Sequence, residues 1–384
     1  MDLYSMIERE DFFSLFFSSV EKYYKEALDK EIEFSFTSKL SECNAVIKPK
    51  LSAVVSVHMS SKAREFFYAE WNIRNSIIKN IIAKTYVFLM TRTGRLFSQF
   101  KFKFMPYEEF SDDIVIAPNN RSIRIFDYAT NIVGCIKKEG FTNKYFENQL
   151  SFRKQYHYDF MFPLLKYGDD WFQEPIMYGH PLARVTDNQR YKKGISDVIE
   201  DIKALAFDTI EYIDSDEYVR NLVLVLEIML ERARIEKEIL NWEKTEEIIR
   251  NIHERIKSVH IMMPTCISHG DLQTGNIWLD RYNKTWIYDW ETVGRRSIWY
   301  DSSVLQYSLR RPEGWKHFLS IDEPVLSVSC DPCKTYDKRE YSFLKDIILL
   351  EDLCFYLEDM LELPEKWGVE IFDAFIDRLQ VAGL

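Results

Sequence analysis

The sequence predicts an α+β chain, on three observations. Short apolar runs joined by tight turns lie between Ile114 and Lys138, helical periodicity dominates from residue 181 onward, and no repeat or low-complexity tract breaks either pattern. With 384 residues, 46% apolar and 29% charged, the chain has the composition of a folded protein and the length for two or three domains. Its 27 Phe, 22 Tyr and 9 Trp can build large cores.

Residues 1–110 read as an extra N-terminal α/β segment. FFSLFFSSVEKYYKEAL is helix-like, LSAVVSVHM from Leu51 strand-like, AREFFYAEWNIRNSIIKNIIAKTY helical, and FSQFKFKFMPY alternates with period two. No catalytic constellation falls there, and its role is left open between an elaborated front of the segment that follows, a dimerisation element giving a homodimer, and a separate module.

Residues 111–180 are the most strand-like. IVIA (114–117), the turn Pro118-Asn119-Asn120-Arg121-Ser122, IRIFDY (123–128), the turn Ala129-Thr130-Asn131 and IVGCIKK (132–138) read as an antiparallel meander. An amphipathic helix with Phe146, Leu150 and Phe152 follows. From 181 to 262 the periodicity is helical nearly throughout, including ISDVIEDIKALAFDTIEYI and the long EYVRNLVLVLEIMLERARIEKEILNWEKTEEIIRNIHERI. The stretch 263–384 opens with loops and strands and ends in helices such as FLKDIILLEDLCFYLEDML.

Charge and cysteines set limits on function. With 50 Lys+Arg against 61 Asp+Glu, a formal charge of −11 disfavours a general nucleic-acid binder. The opening MDLYSMIEREDFF lacks a secretory pattern, no apolar stretch reaches a membrane span, and six scattered cysteines do not suggest a disulfide framework, so a cytoplasmic location is expected. The lone Cys330-Asp331-Pro332-Cys333 has no second pair or spaced histidines for zinc and reads as a loop with two free thiols.

The chemistry concentrates in CISHGDLQTGNIWLDRYNKTWIYDWE, Cys266 to Glu291. Asn276 follows Asp271 by five positions, and Asp289 follows Asn276 by 13, after two short apolar runs around a turn at Asp280 to Lys284. Such a hairpin returns Asn276 and Asp289 to one open side, with Asp271 on the loop before it. Two carboxylates and a carboxamide suit phosphoryl transfer: Mg²⁺ takes hard oxygen ligands, and a separate carboxylate orients the attacking hydroxyl. The H-x-D-x-x-x-x-N spacing followed by an Asp matches a kinase catalytic loop.

His269-Gly270-Asp271-Leu272-x-x-Gly275-Asn276 and Ile287-Tyr288-Asp289-Trp290-Glu291 resemble the aminoglycoside phosphotransferase and choline kinase-like superfamily. Arg295-Arg296-Ser297-Ile298-Trp299-Tyr300-Asp301 resembles that group's stretch ending in a structural Asp before a helix. The resemblance spans about 111–384 and is sharpest at 269–301. It implies a protein-kinase-like bilobal fold: a small antiparallel-sheet N-lobe with linker at 111–180 and a mostly helical C-lobe at 181–384.

It further implies an ATP- and Mg²⁺-dependent kinase of a small-molecule hydroxyl. Asp271 would be the catalytic carboxylate, His269 the residue bracing its loop, and Asn276 and Asp289 the metal ligands. Lys137, in Gly134-Cys135-Ile136-Lys137, aligns with the phosphate-pairing lysine and places Cys135 near the adenine; Lys138 is the alternative, since one residue of register flips the strand. Glu147 would hold that lysine. Asn119, Asn120 and Ser122 would offer phosphate donors in place of a glycine-rich turn, and Gln173 to Leu182, with Glu174 and Met177, would form the adenine-side linker. Glu291, Arg295 and Arg296 stay open between substrate contact and local pairing. A sugar or amino sugar is the first acceptor class. The alternatives are a choline or amino-alcohol kinase, a nucleotide-binding regulatory pseudokinase and a protein kinase; the missing glycine-rich loop and A-P-E segment count against the last.

Overall fold

In a computed structural model the described residues are 6–383, apart from 9, 40, 49–51, 72–77, 79–80, 83, 90–97, 99, 143, 238–240, 258, 324–336 and 364. The Cys330–Cys333 pair therefore lies outside the described residues, as does much of the helical run after Trp71. The chain divides into two compact units, Met1–Tyr191 with Trp278–Tyr288, and Lys192–Ile277 with Asp289–Leu384. The class is α+β, as the sequence predicts: antiparallel sheet dominates the first unit and helix the second.

The first unit is built on a nine-stranded sheet. Its strands are β1 (Glu33–Phe36), β2 (Ala45–Lys48), β3 (Ala53–Ser56), β4 (Lys101–Met105), β5 (Ile114–Pro118), β6 (Ser122–Asp127), β7 (Ile132–Lys137), β8 (Lys166–Tyr167) and β9 (Trp171–Pro175). They lie in the order β1-β4-β2-β3-β5-β6-β7-β9-β8, so strands from 1–110 and 111–180 share one continuous sheet. The meander read from 114–138 is β5 to β7, with Ile116 opposite Ile125 and Ser122 opposite Lys137. Its second turn is closed by Asp127, whose carboxylate accepts from the Ala129 N–H at 2.9 Å, and by Asn131 at φ 58°, a left-handed position that Asn tolerates.

Alternation along each strand buries both faces. On one, helix α1 (Phe12–Leu28) packs Phe12, Phe16, Val20, Tyr23 and Tyr24 against Ile47, Val54, Ile116, Ile123, Ile125 and Ile136. On the other, Cys135 and Phe172 meet Phe146 and Leu150 of an amphipathic helix. Helix α2 (Arg64–Trp71) adds Phe67 to a further cluster with Val46, Val55 and Val115. The helix carrying Phe146 is α3 (Lys144–Gln155). Each fully buried Phe, such as Phe16, contributes ~1.5–3 kcal/mol by leaving water. Much of the phenylalanine content is spent here, with Phe13, Phe17, Phe34, Phe36 and Phe102 in edge and stacked contact.

Three further strands of small sheet, β10 (Gly179–Pro181), β13 (Ile277–Asp280) and β14 (Thr285–Ile287), lie side by side in that order.

The second unit holds the remaining strands, β11 (Glu211–Asp214), β12 (Met262–Ser268) and β15 (Gly294–Ser297), in the order β11-β12-β15. Around them run α4 (Asn188–Thr209, of which Lys192 onward belongs here), α5 (Ser215–Glu236), α6 (Trp242–Ile256), α7 (Tyr300–Gln306), α8 (Gly314–Ser320), α9 (Lys338–Glu362) and α10 (Glu365–Val381). The helical run expected to 213 ends at Thr209, and Glu211–Asp214 pairs antiparallel with β12 instead. The Thr209 hydroxyl donates to the Leu205 carbonyl and accepts the Ile267 N–H at 3.0 Å, which diverts the chain into the sheet. Asp214 then caps α5, accepting from the Asp216 and Glu217 N–H groups. Helix α9 starts on a full capping box formed by Asp337 and Glu340.

Candidate active site

Strand β12 delivers the chain to His269-Gly270-Asp271, and a buried carboxylate shapes this loop. Asp301, at the start of α7, accepts from the Ser268 hydroxyl at 2.8 Å, the His269 N–H at 2.6 Å and the Gly270 N–H at 3.0 Å. Charge-assisted bonds to consecutive backbone donors are strong and directional, so they fix the loop. Gly270 sits at φ +87°, and a Cβ there would lie 2.4 Å from the Thr292 carbonyl oxygen, so glycine is required. His269 is fully buried against Trp290, ring centroids 4.6 Å apart, and its Nδ1 accepts the Asp271 N–H at 3.2 Å. That places the imidazole proton on Nε2 and makes the ring a brace for the next residue's backbone.

Asp271 is held from three directions. Arg310 Nε donates to Oδ1 at 2.8 Å, while Gln273 Nε2 and Asn276 Nδ2 donate to Oδ2 at 2.9 and 3.0 Å. Its side chain retains 20% exposure. A carboxylate offers about four lone-pair sites, so one on Oδ1 remains for another donor. Arg310 is nearly buried, stacks 4.1 Å over Phe355, and donates to the Gly270 carbonyl, the Tyr300 hydroxyl and Asp352. Asp352, on α9, also accepts from Tyr300 and Trp315. Burial alone would favour losing the Arg310 proton; Asp352 and the other facing oxygens, Asp271 among them, outweigh it and hold the guanidinium well above its ordinary value.

Asn276 and Asp289 flank the β13–β14 hairpin. Asp280 accepts the Tyr282 and Lys284 N–H groups on Oδ1, its own N–H donates to the Lys284 carbonyl at 3.0 Å, and Asn283 takes φ 67°. This is a three-residue hairpin loop with a left-handed last position, and counting back along both strands brings 276 and 288–289 to the open end. Asp289 is itself left-handed at φ 69°, a cost Asp bears better than most residues. Because Asn276 Nδ2 donates to both the backbone and the side chain of Asp271, its Oδ1 is turned the other way. One carboxamide and one carboxylate oxygen fit Mg²⁺, which takes hard ligands and keeps the rest of its shell for phosphate and water. Among the described residues no group of three or more His, Cys, Asp or Glu forms a closed cage.

In the sheet unit, Lys137 ends β7 directly across the ladder from Ser122, and Asn119 closes the adjoining turn with its N–H on the Ser122 carbonyl at 2.7 Å. Asn120 and Arg121 lie at the tip, Arg121 over the Tyr145 ring at 3.9 Å. Lys137 Nζ stands 3.7 Å from Asp170, which also bonds Lys22 of α1. Burial would raise the Asp170 carboxyl, but Lys22 and Lys137 together hold it below its ordinary value. Glu147, in the first turn of α3, is exposed and is not paired with Lys137. Lys138 points to the opposite face, fully buried and 2.7 Å from Glu10. Glu174 turns its carboxylate inward to Arg153 at 2.8 Å, its backbone in register with Val133, and Met177 lies half-buried in the loop after β9. Cys135 is buried beside α3, and burial pushes its thiol up to about 12.

Arg295 pairs with Glu211 at 2.7 Å and donates to the Thr209 carbonyl, while Arg296 donates to the Thr292 carbonyl and lies over Tyr300. Arg310, Asp352 and Asp170 escape the sequence reading, since no motif spacing ties them to the residues they bind. Helix α9 buries two more carboxylates. Asp346 takes a two-pronged bond from Arg255, and Glu351 accepts from Tyr218 and from the N–H and hydroxyl of Ser297. Burial pushes Glu351 up to about 7 despite those donors.

No family model and no curated protein matches the chain. Solved structures do overlap it in shape. A choline kinase from Cryptosporidium parvum Iowa II is 12% identical, covering 72% of this chain and 91% of its own, at a TM-score of 0.45. A choline/ethanolamine kinase family protein from Mesorhizobium loti is 10% identical, with 70% and 87% covered and a TM-score of 0.43. A thermostable mutant of an aminoglycoside phosphotransferase is 11% identical, with 71% and 96% covered and a TM-score of 0.47.

Proposed function

We propose that the chain is an ATP- and Mg²⁺-dependent phosphotransferase that phosphorylates a hydroxyl of a small molecule. The observation that carries the proposal is the state of Asp271: fixed by Arg310, Gln273 and Asn276, partly exposed, and left with one acceptor position on Oδ1. That position would take the hydrogen of the acceptor hydroxyl. As the hydroxyl oxygen bonds the γ-phosphorus and the bond to the ADP oxygen breaks, the hydroxyl proton passes to Oδ1 late. Phosphoryl transfer has a loose transition state and asks for positioning more than for a strong base, so a carboxylate paired with a guanidinium suits the task.

Mg²⁺ held by Asn276 and Asp289 would neutralise charge on the phosphates when bound. His269 and Asp301 keep the loop in place, and Lys137 is the proposed lysine for the inner phosphates, with the turn at Asn119, Asn120 and Ser122 as a further source of donors. A sugar or amino sugar is the first acceptor class to test, and an amino alcohol such as choline the second. The experiment is an ATP-consumption screen over sugars, amino sugars and amino alcohols, with mass detection of the product. ADP release tied to one phosphorylated acceptor is expected; a chain that binds nucleotide but modifies no acceptor would point to a regulatory pseudokinase, and labelling of the protein alone to a protein kinase.

A further inference from the structure

We infer that helix α1, through Lys22 and Asp170, sets the position of Lys137, which makes the N-terminal segment a working support of the nucleotide lysine. The inference rests on the proposed role of Lys137 as the phosphate lysine. A lysine carries its ammonium on a flexible four-carbon stem, and a fixed carboxylate beside it narrows where that charge sits. The carboxylate beside Lys137 comes from the β8–β9 turn, Asp170 at 3.7 Å, and not from α3, where Glu147 faces solvent. Asp170 is in turn fixed twice: its carbonyl accepts the Lys137 N–H at 2.9 Å, and its carboxylate bonds Lys22.

Lys22 is well placed to be a reference point because α1 grips β7 closely. A Cβ on Gly134 would lie 2.0 Å from the Tyr23 hydroxyl, so only glycine lets the helix sit this near. The Tyr23 hydroxyl accepts from Gln173 at 3.0 Å, in the strand next to β7. Past the end of β7, Lys138 is buried against Glu10 at 2.7 Å, and the Glu139 N–H donates to the Ser19 hydroxyl at 2.9 Å. One carboxylate thus lies between two ammonium groups, one on the helix and one on the strand. Without its charge the two would repel, and the held position of the Lys137 ammonium would be lost.

The test is a double-mutant cycle read by direct binding of N-methylanthraniloyl-ATP with Mg²⁺ to the full chain, with kcat and KM as a second reading. Asp170→Asn keeps the shape and removes the charge. It should weaken nucleotide binding roughly tenfold, below the ~10²-fold that a 1 Å misplacement can cost, with the acceptor KM unchanged. Lys22→Met should act in the same direction, and Asp170→Glu should restore part of the loss. In a Lys137→Met background, Asp170→Asn should have no further effect, because residues acting as one unit are not additive. An undiminished Asp170→Asn effect in that background, or none in the parent chain, overturns the inference while leaving the kinase reading intact. Unchanged nucleotide binding in Lys137→Met alone would remove the lysine assignment itself, and this inference with it.

Discussion

Arg310 Nε lies 2.8 Å from Asp271 Oδ1, and the same guanidinium bonds the fully buried Asp352. One cation therefore links the helix that carries Asp352 to the loop that carries Asp271. Replacing Arg310 by Met should cost roughly 3–5 kcal/mol of stability, since it strands a buried carboxylate. Arg310→Lys keeps the charge but cannot reach both acids in a forked geometry, and should lower kcat by about 10-fold or more with a smaller stability loss. Urea titration and steady-state kinetics on both variants check this.

Asp301→Ala removes the acceptor of three bonds that define the His269-Gly270 turn. It should cost on the order of 3 kcal/mol, the scale of leaving buried donors without a charged partner, and should depress kcat more than the ATP KM. Thermal or urea unfolding, with kinetics at saturating ATP, measures both.

Asp289→Asn and Asn276→Ala should raise the Mg²⁺ concentration for half-maximal activity by at least ~10–100-fold, the range typical even of residues one shell further from a metal. An activity titration against MgCl₂ reads the shift. Asp289→Asn should leave the unfolding free energy measured with EDTA within about 1 kcal/mol of the parent chain.

Glu351 gives a stability signature independent of catalysis. Its carboxyl is pushed up to about 7 by burial, against a model-peptide value near 4.3 in the unfolded chain. The folded state therefore binds this proton more tightly, and the contribution is present below the unfolded value and lost as pH rises through about 7. Glu351→Gln, which keeps the shape without the charge, should become more stable relative to the parent chain as pH goes from 5 to 8, by on the order of 3 kcal/mol. Chemical unfolding at those two pH values tests the sign.

The legible parts of the fold were those where periodicity and turn chemistry act locally. The strands at 114–117, 123–128 and 132–138 are β5 to β7, and AVVS and KFKFM are β3 and β4. Glu211–Asp214 reads as helix because its pattern continues that of α4, and only pairing with the distant β12 makes it a strand. The same limit governs the site. Asp271, Asn276 and Asp289 stand out because one short stretch carries them, and Asn276 does meet Asp271 at 3.0 Å. Arg310 and Asp170 are visible only once tertiary packing brings a helix or a turn beside the loop or strand, and an exposed Glu147 is indistinguishable in sequence from a buried one.

The central claim, that Asp271 orients a hydroxyl for phosphoryl transfer, is tested most directly by following the labelled γ-phosphate of ATP into a small-molecule acceptor. The parent chain should transfer it. Asp271→Ala should slow that transfer roughly 10²–10⁴-fold, the range for a positioned acid–base group, with nucleotide binding little changed. Equal transfer by the two proteins would contradict the account.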